Sequence, residues 1–290
     1  MTRIRHIIRT NRTARLALIV LTVVAVLVAF GGWLAPYDPL KQGAVILQGP
    51  SGSHWLGTDN LGRDTLSRLL AGSRLSVLGA VEATAVGVVL GAIPGLLSVY
   101  IGRTGEWLLL RLMDALLALP FIIVAIAVTG VTGGGLHPAM VTVGVLFAPT
   151  FFRISRSATL GLRHAGYVEA AELFGSSTAR LVARHVWRKV ATPIAVAAAN
   201  TTGAGLLIVS SLMFLGIGVA PPAPTWGGML ATDLNYLTQA PLAPLAPALL
   251  IMATVGALNL LADAIREDTP AARTARVRTP WKERARVNAH

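Results

Sequence analysis

The run 76-SVLGAVEATAVGVVLGAIPGLLSVYI-101 decides the architecture. It holds one charged residue, Glu82, and is long enough to cross a hydrocarbon core as a helix. Small residues recur at every fourth position, Gly79, Ala83, Gly87, Gly91 and Gly95. On a helix this spacing gathers them into one stripe, along which a second backbone can approach closely. Glycine is common in membrane helices generally, but five small residues in register point to helix packing. A chain built on such a run is a bundle of membrane helices.

Composition agrees. The 290 residues are 54% hydrophobic and 13% charged, with a mean hydropathy of +0.65, and the apolar residues come in unbroken runs. With no cysteine there is neither a disulfide framework nor a thiolate metal site. The spacing of the apolar runs gives an all-α polytopic membrane protein with six transmembrane helices. Residues 1–15 are a basic segment and 16–35 the first span, whose apolar stretch Leu16 to Leu34 is too long for a cleaved signal peptide. Residues 36–75 are a turn-rich loop ending in a short helix, Thr65 to Leu75, that Asp64 can cap. Residues 76–266 hold five further spans and residues 267–290 are a basic tail. Within the core, Ser76 to Ile101 is the second span. Leu110 to Gly130 is the third, kinked at Pro120, and His137 to Phe152 the fourth. Pro193 to about Gly218 is the fifth and Leu245 to Ile265 the sixth.

Between the fourth and fifth spans lies a polar island, residues 153–192, too long and too patterned for an ordinary connection. Tyr167 to Phe174 consists of good helix formers, Gly175 stands where a C-terminal cap belongs, and Ser176 or Ser177 can cap a second helix running to about Lys189. Tyr167, Ala170, Ala171 and Phe174 fall on one face, a small apolar patch flanked by Glu169 and Glu172. The two acids suit an anionic lipid surface poorly and a protein groove well.

Orientation follows from counting Lys and Arg. With the N-terminus inside, 21 fall in the cytoplasmic segments and four, Lys41, Arg63, Arg68 and Arg74, outside. That is the positive-inside bias, so both termini and the island are assigned to the cytoplasm. The net charge of +12 then reflects topology and lipid headgroups rather than nucleic acid.

Catalytic readings find no support in the sequence. No lysine follows a glycine in a phosphate-binding loop, the six histidines form no zinc-protease pattern, and no G-x-S-x-G occurs. The ionisable residues within spans, Glu82, Asp114 and Asp263, are read as lying near span ends, where Asp263 can pair with Arg266 and Asp114 has a structural or gating role. No chain of buried acids marks a proton relay, which disfavours an ion-driven transporter.

Glu169-Ala170-Ala171, followed by Gly175, resembles the EAA motif of permeases in binding-protein-dependent ABC importers. Gly57-Thr58-Asp59, Gly62-Arg63-Asp64, Ser67-Arg68 and Gly72 resemble the dipeptide/oligopeptide/nickel permease family. So do Asp114 with Pro120, Phe214 to Val219, Pro221-Pro222, Pro224, Trp226-Gly227, and Asn259-Leu260-Leu261 with Asp263. Together these cover about residues 54–268, and the Pro-Pro-x-Pro-x-Trp-Gly segment points to the C-type subunit. The resemblance implies a type I ABC importer permease fold whose island is a cytoplasmic two-helix coupling loop. It implies that Tyr167, Glu169, Ala170, Ala171, Glu172, Phe174, Gly175 and Ser176 couple to an ATPase. It implies three kinds of partner: a paralogous permease, two cytoplasmic ATPases holding ATP and magnesium, and an extracytoplasmic binding protein. This chain itself binds no cofactor on that reading. The substrate would be a di- or oligopeptide, with glutathione or a nickel complex as alternatives. One departure stands out: Trp187-Arg188 replaces the family's usual Leu-Pro, and the proline comes only at Pro193.

Overall fold

The computed structural model describes residues 12–163, 165, 166, 180, 182 and 186–267. Its helices are α1 (Arg12–Leu34), α2 (Thr65–Leu97), α3 (Arg103–Leu117), α4 (Phe121–Val131), α5 (Leu136–Arg163), α6 (Trp187–Phe214), α7 (Trp226–Leu234) and α8 (Leu245–Glu267). Five of them, α1, α2, α5, α6 and α8, are long and apolar enough to cross a membrane, and α3 with α4 makes a sixth span if the bent pair is counted as one.

The short helix expected over Thr65 to Leu75 is not separate: it is the first part of α2. Asp64 starts α2, its carboxylate accepting from the Ser67 amide at 2.8 Å and the Ser67 hydroxyl at 2.6 Å. No proline follows until Pro94, so nothing stops the helix there. Pro94 has no amide hydrogen to give back to the turn before it. The helix widens into a single π-turn over Val88–Ala92, and the Ser155 hydroxyl donates to the Ala92 carbonyl at 2.7 Å.

Pro120 does more than kink the third span. α3 and α4 meet at 89°, with Pro120 in extended conformation at the α4 N-terminus. A proline inside one helix would clash with the carbonyl of Leu116 and lose a hydrogen bond, so the chain ends α3 and begins again. At the island the spans reach further than their apolar runs suggest. α5 continues to Arg163, and Trp187 to Lys189 open α6, with Pro193 inside it. Trp187-Arg188 therefore belongs to a span helix, not to the end of a loop helix.

α2 is the centre of the bundle. A methyl group on Gly31 of α1 would lie 2.2 Å from the Leu70 carbonyl oxygen, and the Ser73 hydroxyl donates to the Leu27 carbonyl at 2.9 Å. On another face, Thr202 of α6 donates to Thr84 at 3.1 Å. α8 rests on α6, with Asn259 Oδ1 3.4 Å from where a Gly203 methyl would sit. Trp226 pins α7: fully buried, it donates through Nε1 to the Leu69 carbonyl at 3.0 Å and through its amide to the Ser76 hydroxyl at 2.9 Å.

Candidate translocation interface

The small-residue stripe of α2 faces α5. Methyl groups on Gly87, Gly91 and Gly95 would lie 2.8 Å from Phe147 Cβ, 2.1 Å from the Ala148 carbonyl oxygen and 2.5 Å from the Phe152 carbonyl oxygen. Gly79 meets Met140, and α5 answers with Gly144, where a methyl would sit 2.7 Å from the Ala83 carbonyl oxygen. The partner numbers rise together along the seam, so the two helices run parallel. Backbone rests on backbone at a separation only glycine allows.

At the end of the bundle leading into the island, α3 is tied to α5 by ion pairs. Asp114 meets Arg153 at 2.9 Å with both side chains largely in solvent, and Glu106 pairs with Arg156. The eight residues from Glu106 to Asp114 span about 12 Å of helix, whereas Arg153 to Arg156 spans only about 4.5 Å. α3 therefore crosses α5 instead of running along it. Its apolar side seats Met113 against Ala148 and Phe152. Asp263 on α8 is exposed, and its expected ion pair with Arg266 is not formed among the described residues.

Because α2 starts at Thr65, Glu82 lies well inside the helix, about 12 Å from the exposed Arg74 and about 22 Å from Leu97. There its carboxylate meets His137 Nδ1 at 2.9 and 3.1 Å, on the first turn of α5. The pair joins residues far apart in sequence, so local spacing carried no trace of it.

At the opposite end the loop over residues 36–64 is sewn to α2 and α7. Asp59 takes Arg63 through Nε and Nη2, both at 2.7 Å, and Arg68 Nε at 3.3 Å, while its Oδ1 accepts the amides of Leu61 and Arg63. Asp64 binds His54 at 2.8 Å. Asn60 reaches the Tyr236 hydroxyl at 3.5 Å. Asp233 of α7 is buried beside this cluster, and its Oδ2 accepts no hydrogen bond. Burial pushes its carboxyl up to about 6; the Asp59 charge adds to the rise and Arg68 opposes it. A carboxyl that binds its proton more tightly folded than unfolded stabilises the fold below pH ~4 and loses that contribution as pH rises through about 6. Asp233→Asn should therefore gain thermal stability over the unmodified protein from pH 5 to pH 7.5. An unchanged difference in melting temperature across that range would contradict the assignment.

The coupling residues read from the sequence, Tyr167, Glu169, Ala170, Ala171, Glu172, Phe174, Gly175 and Ser176, lie outside the described residues.

Residues 83–267, most of the bundle and its glycine seam, match the family described as "Binding-protein-dependent transport system inner membrane component". The chain belongs to this permease family. Residues 1–50 of the permease also match the "N-terminal TM domain of oligopeptide transport permease C". It is 34% identical to the glutathione transport system permease protein GsiD of Pectobacterium atrosepticum, over 91% of this chain and 88% of that protein. It is likewise 34% identical to the di/tripeptide transport system permease protein DppC of Pseudomonas aeruginosa, over 89% and 87%. Identity to GsiD of Escherichia coli is 37%, over 88% and 84%. The permease is thus a multi-pass membrane subunit of an importer of this class. Sequence reasoning missed three of its clusters: Glu82 with His137, Glu106 with Arg156, and Asp59 with Arg63, Arg68 and Asp233. Only the Asp59 and Arg63 spacing of four residues gave a local signal.

Proposed function

We propose that this permease forms half of the pathway of an ATP-driven importer of short peptides or glutathione, paired with a paralogous permease. What carries the reading is the similarity, along about nine tenths of the chain, to permeases named for di/tripeptides and for glutathione. Glutathione is itself a small peptide with free amino and carboxylate groups, so the two substrate classes share their chemistry. The excess of Lys and Arg, 21 against four, supports cytoplasmic termini and a cytoplasmic island. On that orientation Tyr167 to Ser176 dock into an ATPase, and the loop over residues 36–64 with α7 faces a substrate-binding protein. Asp114 and Pro120, at the α3–α4 joint, then sit where a movement of the island would be relayed to the rest of the bundle through Arg153. ATP and magnesium belong to the ATPases.

The test is to purify the transporter through this subunit, identify the proteins that accompany it, and measure ligand binding to its binding protein by calorimetry. ATP-dependent uptake of a dipeptide or glutathione into proteoliposomes is expected. Uptake by this subunit alone, without ATPases, or a binding protein that takes only a nickel chelate, would overturn the reading.

A further inference from the structure

Glu82 and His137 occupy a costly position. The bundle has two polar ends. At one, Gly31 of α1 rests on Leu70 beside the loop; at the other, Arg153 and Arg156 meet Asp114 and Glu106 beside the Gly95–Phe152 contact. Glu82 lies on α2 about 12 Å below the exposed Arg74, which is counted outside, and about 20 Å above Gly95, within the outer half of a hydrocarbon core of roughly 30 Å. Yet the pair is not enclosed by the subunit: the His137 side chain is 82% exposed and that of Glu82 29%. Ionisable groups at this depth face a water-filled cavity or other protein and do not face lipid, where each would be strongly unfavourable.

A second observation points the same way. The turn between α4 and α5 lies above the pair, on the loop side of it, because Leu136 in the first turn of α5 approaches Gly79, about 4.5 Å above Glu82 along α2. It is irregular: Gly133, Gly134 and Gly135 all have positive φ. No described residue lies within 4 Å of where methyl groups on Gly133 and Gly134 would be, and Val131 just before them is 89% exposed. The irregular turn at Gly216 and Gly218 comes down to the same level, with the Gly135 carbonyl oxygen 3.9 Å from a Gly218 methyl. Non-helical backbone at membrane depth is stable only when it is buried in protein or lines water. Two such turns lie on the loop side of the ionisable pair.

We propose that the exposed face around this pair lines the aqueous translocation pathway and that Glu82 receives the ammonium group of the passing substrate, which displaces His137 from its carboxylate. The assignment rests on the reading of the chain as a peptide or glutathione permease, because those substrates carry a free amino group. Glu82 would then be a specificity-determining residue in the outer half of the pathway.

The absence of cysteine from the chain makes the test direct. In the transporter purified through this subunit, His137→Cys and Gly134→Cys are introduced singly and exposed to a membrane-impermeant, charged methanethiosulfonate, and labelling is read on this subunit. Both positions should label, and dialanine delivered by the binding protein with ATP should slow labelling of the His137→Cys protein. Labelling at neither position, whether ATP is present or withheld, would place this face against lipid or the paired permease and overturn the pathway assignment. Glu82→Gln should lower dialanine and glutathione uptake about tenfold at unchanged affinity of the binding protein, and Glu82→Asp should restore most of it. Labelling without any effect of Glu82→Gln on uptake would overturn the substrate contact. If both cysteine variants label but the unmodified transporter imports neither dialanine nor glutathione, the substrate reading fails while the pathway assignment stands.

Discussion

Gly91→Leu is expected to reduce the amount of folded permease in the membrane at least about tenfold, with little change in its synthesis. Even the first carbon of a side chain at this position would fall 2.1 Å from the Ala148 carbonyl oxygen and 2.8 Å from Phe151 Cβ. Both neighbours belong to α5 and the closer is backbone, so no rotamer change relieves the contact. The helices must separate along the seam, and every close contact from Gly79 to Gly95 loosens with them. Lipid gives little of this lost packing back, because contact with acyl chains does not reproduce interlocked backbones. A built-in comparison exists on α1: a methyl on Gly31 would lie 2.2 Å from the Leu70 carbonyl oxygen, whereas no described residue lies within 4 Å of a methyl on Gly32. Gly31→Ala should lower the yield of detergent-stable protein, and Gly32→Ala should leave it unchanged or raise it. Equal yields for Gly91→Leu and Gly32→Ala would show that the seam does not hold the bundle together.

Glu169→Lys should abolish uptake while leaving membrane insertion and the amount of permease intact. Reversing a charge at a docked interface typically costs about 2–5 kcal/mol, a loss of at least about thirtyfold in affinity. Gly175→Leu should act alike, because a bulky side chain would replace the glycine expected to end the first coupling helix. Both changes lie in the segment proposed to meet the ATPase, so the informative readouts are co-purification of the ATPase and ATP-dependent uptake, measured together. Normal transport by both variants would remove the island from the coupling role.

The sequence made the seam legible because glycine spacing is a property of one helix: four residues return to the same face whatever stands opposite. Which helix stands opposite was not legible, and Gly144 and the parallel course of α5 appear only in three dimensions. The position of the break at Pro120 could be read from proline's missing donor. Its size, 89°, is a tertiary feature, seen where α3 is tied to α5 through Arg153 and Arg156. Span lengths were misjudged where apolar runs and helices differ. α2 extends above its apolar stretch because Asp64 and the Gly57 carbonyl accept the first amides of a polar helix start, and α5 extends below its own because charged residues continue a helix readily in water. The longer α2 carries Glu82 well inside the helix. Its pairing with His137 arises from the register of the seam, which no single stretch encodes.

The seam also has a mechanical consequence. Helices that touch through side chains can slide, since rotamers yield; helices in backbone contact at several successive levels cannot slide past each other without first coming apart. α2 and α5 therefore behave as one stiff strut, joined at one end to the loop through Asp64 and continuing at the other toward the island through Arg163. A push delivered at the lower end reaches the upper end as tilt rather than as compression. The compliant elements are left elsewhere, at the α3–α4 joint and in the glycine turns around residues 133–135 and 216–218.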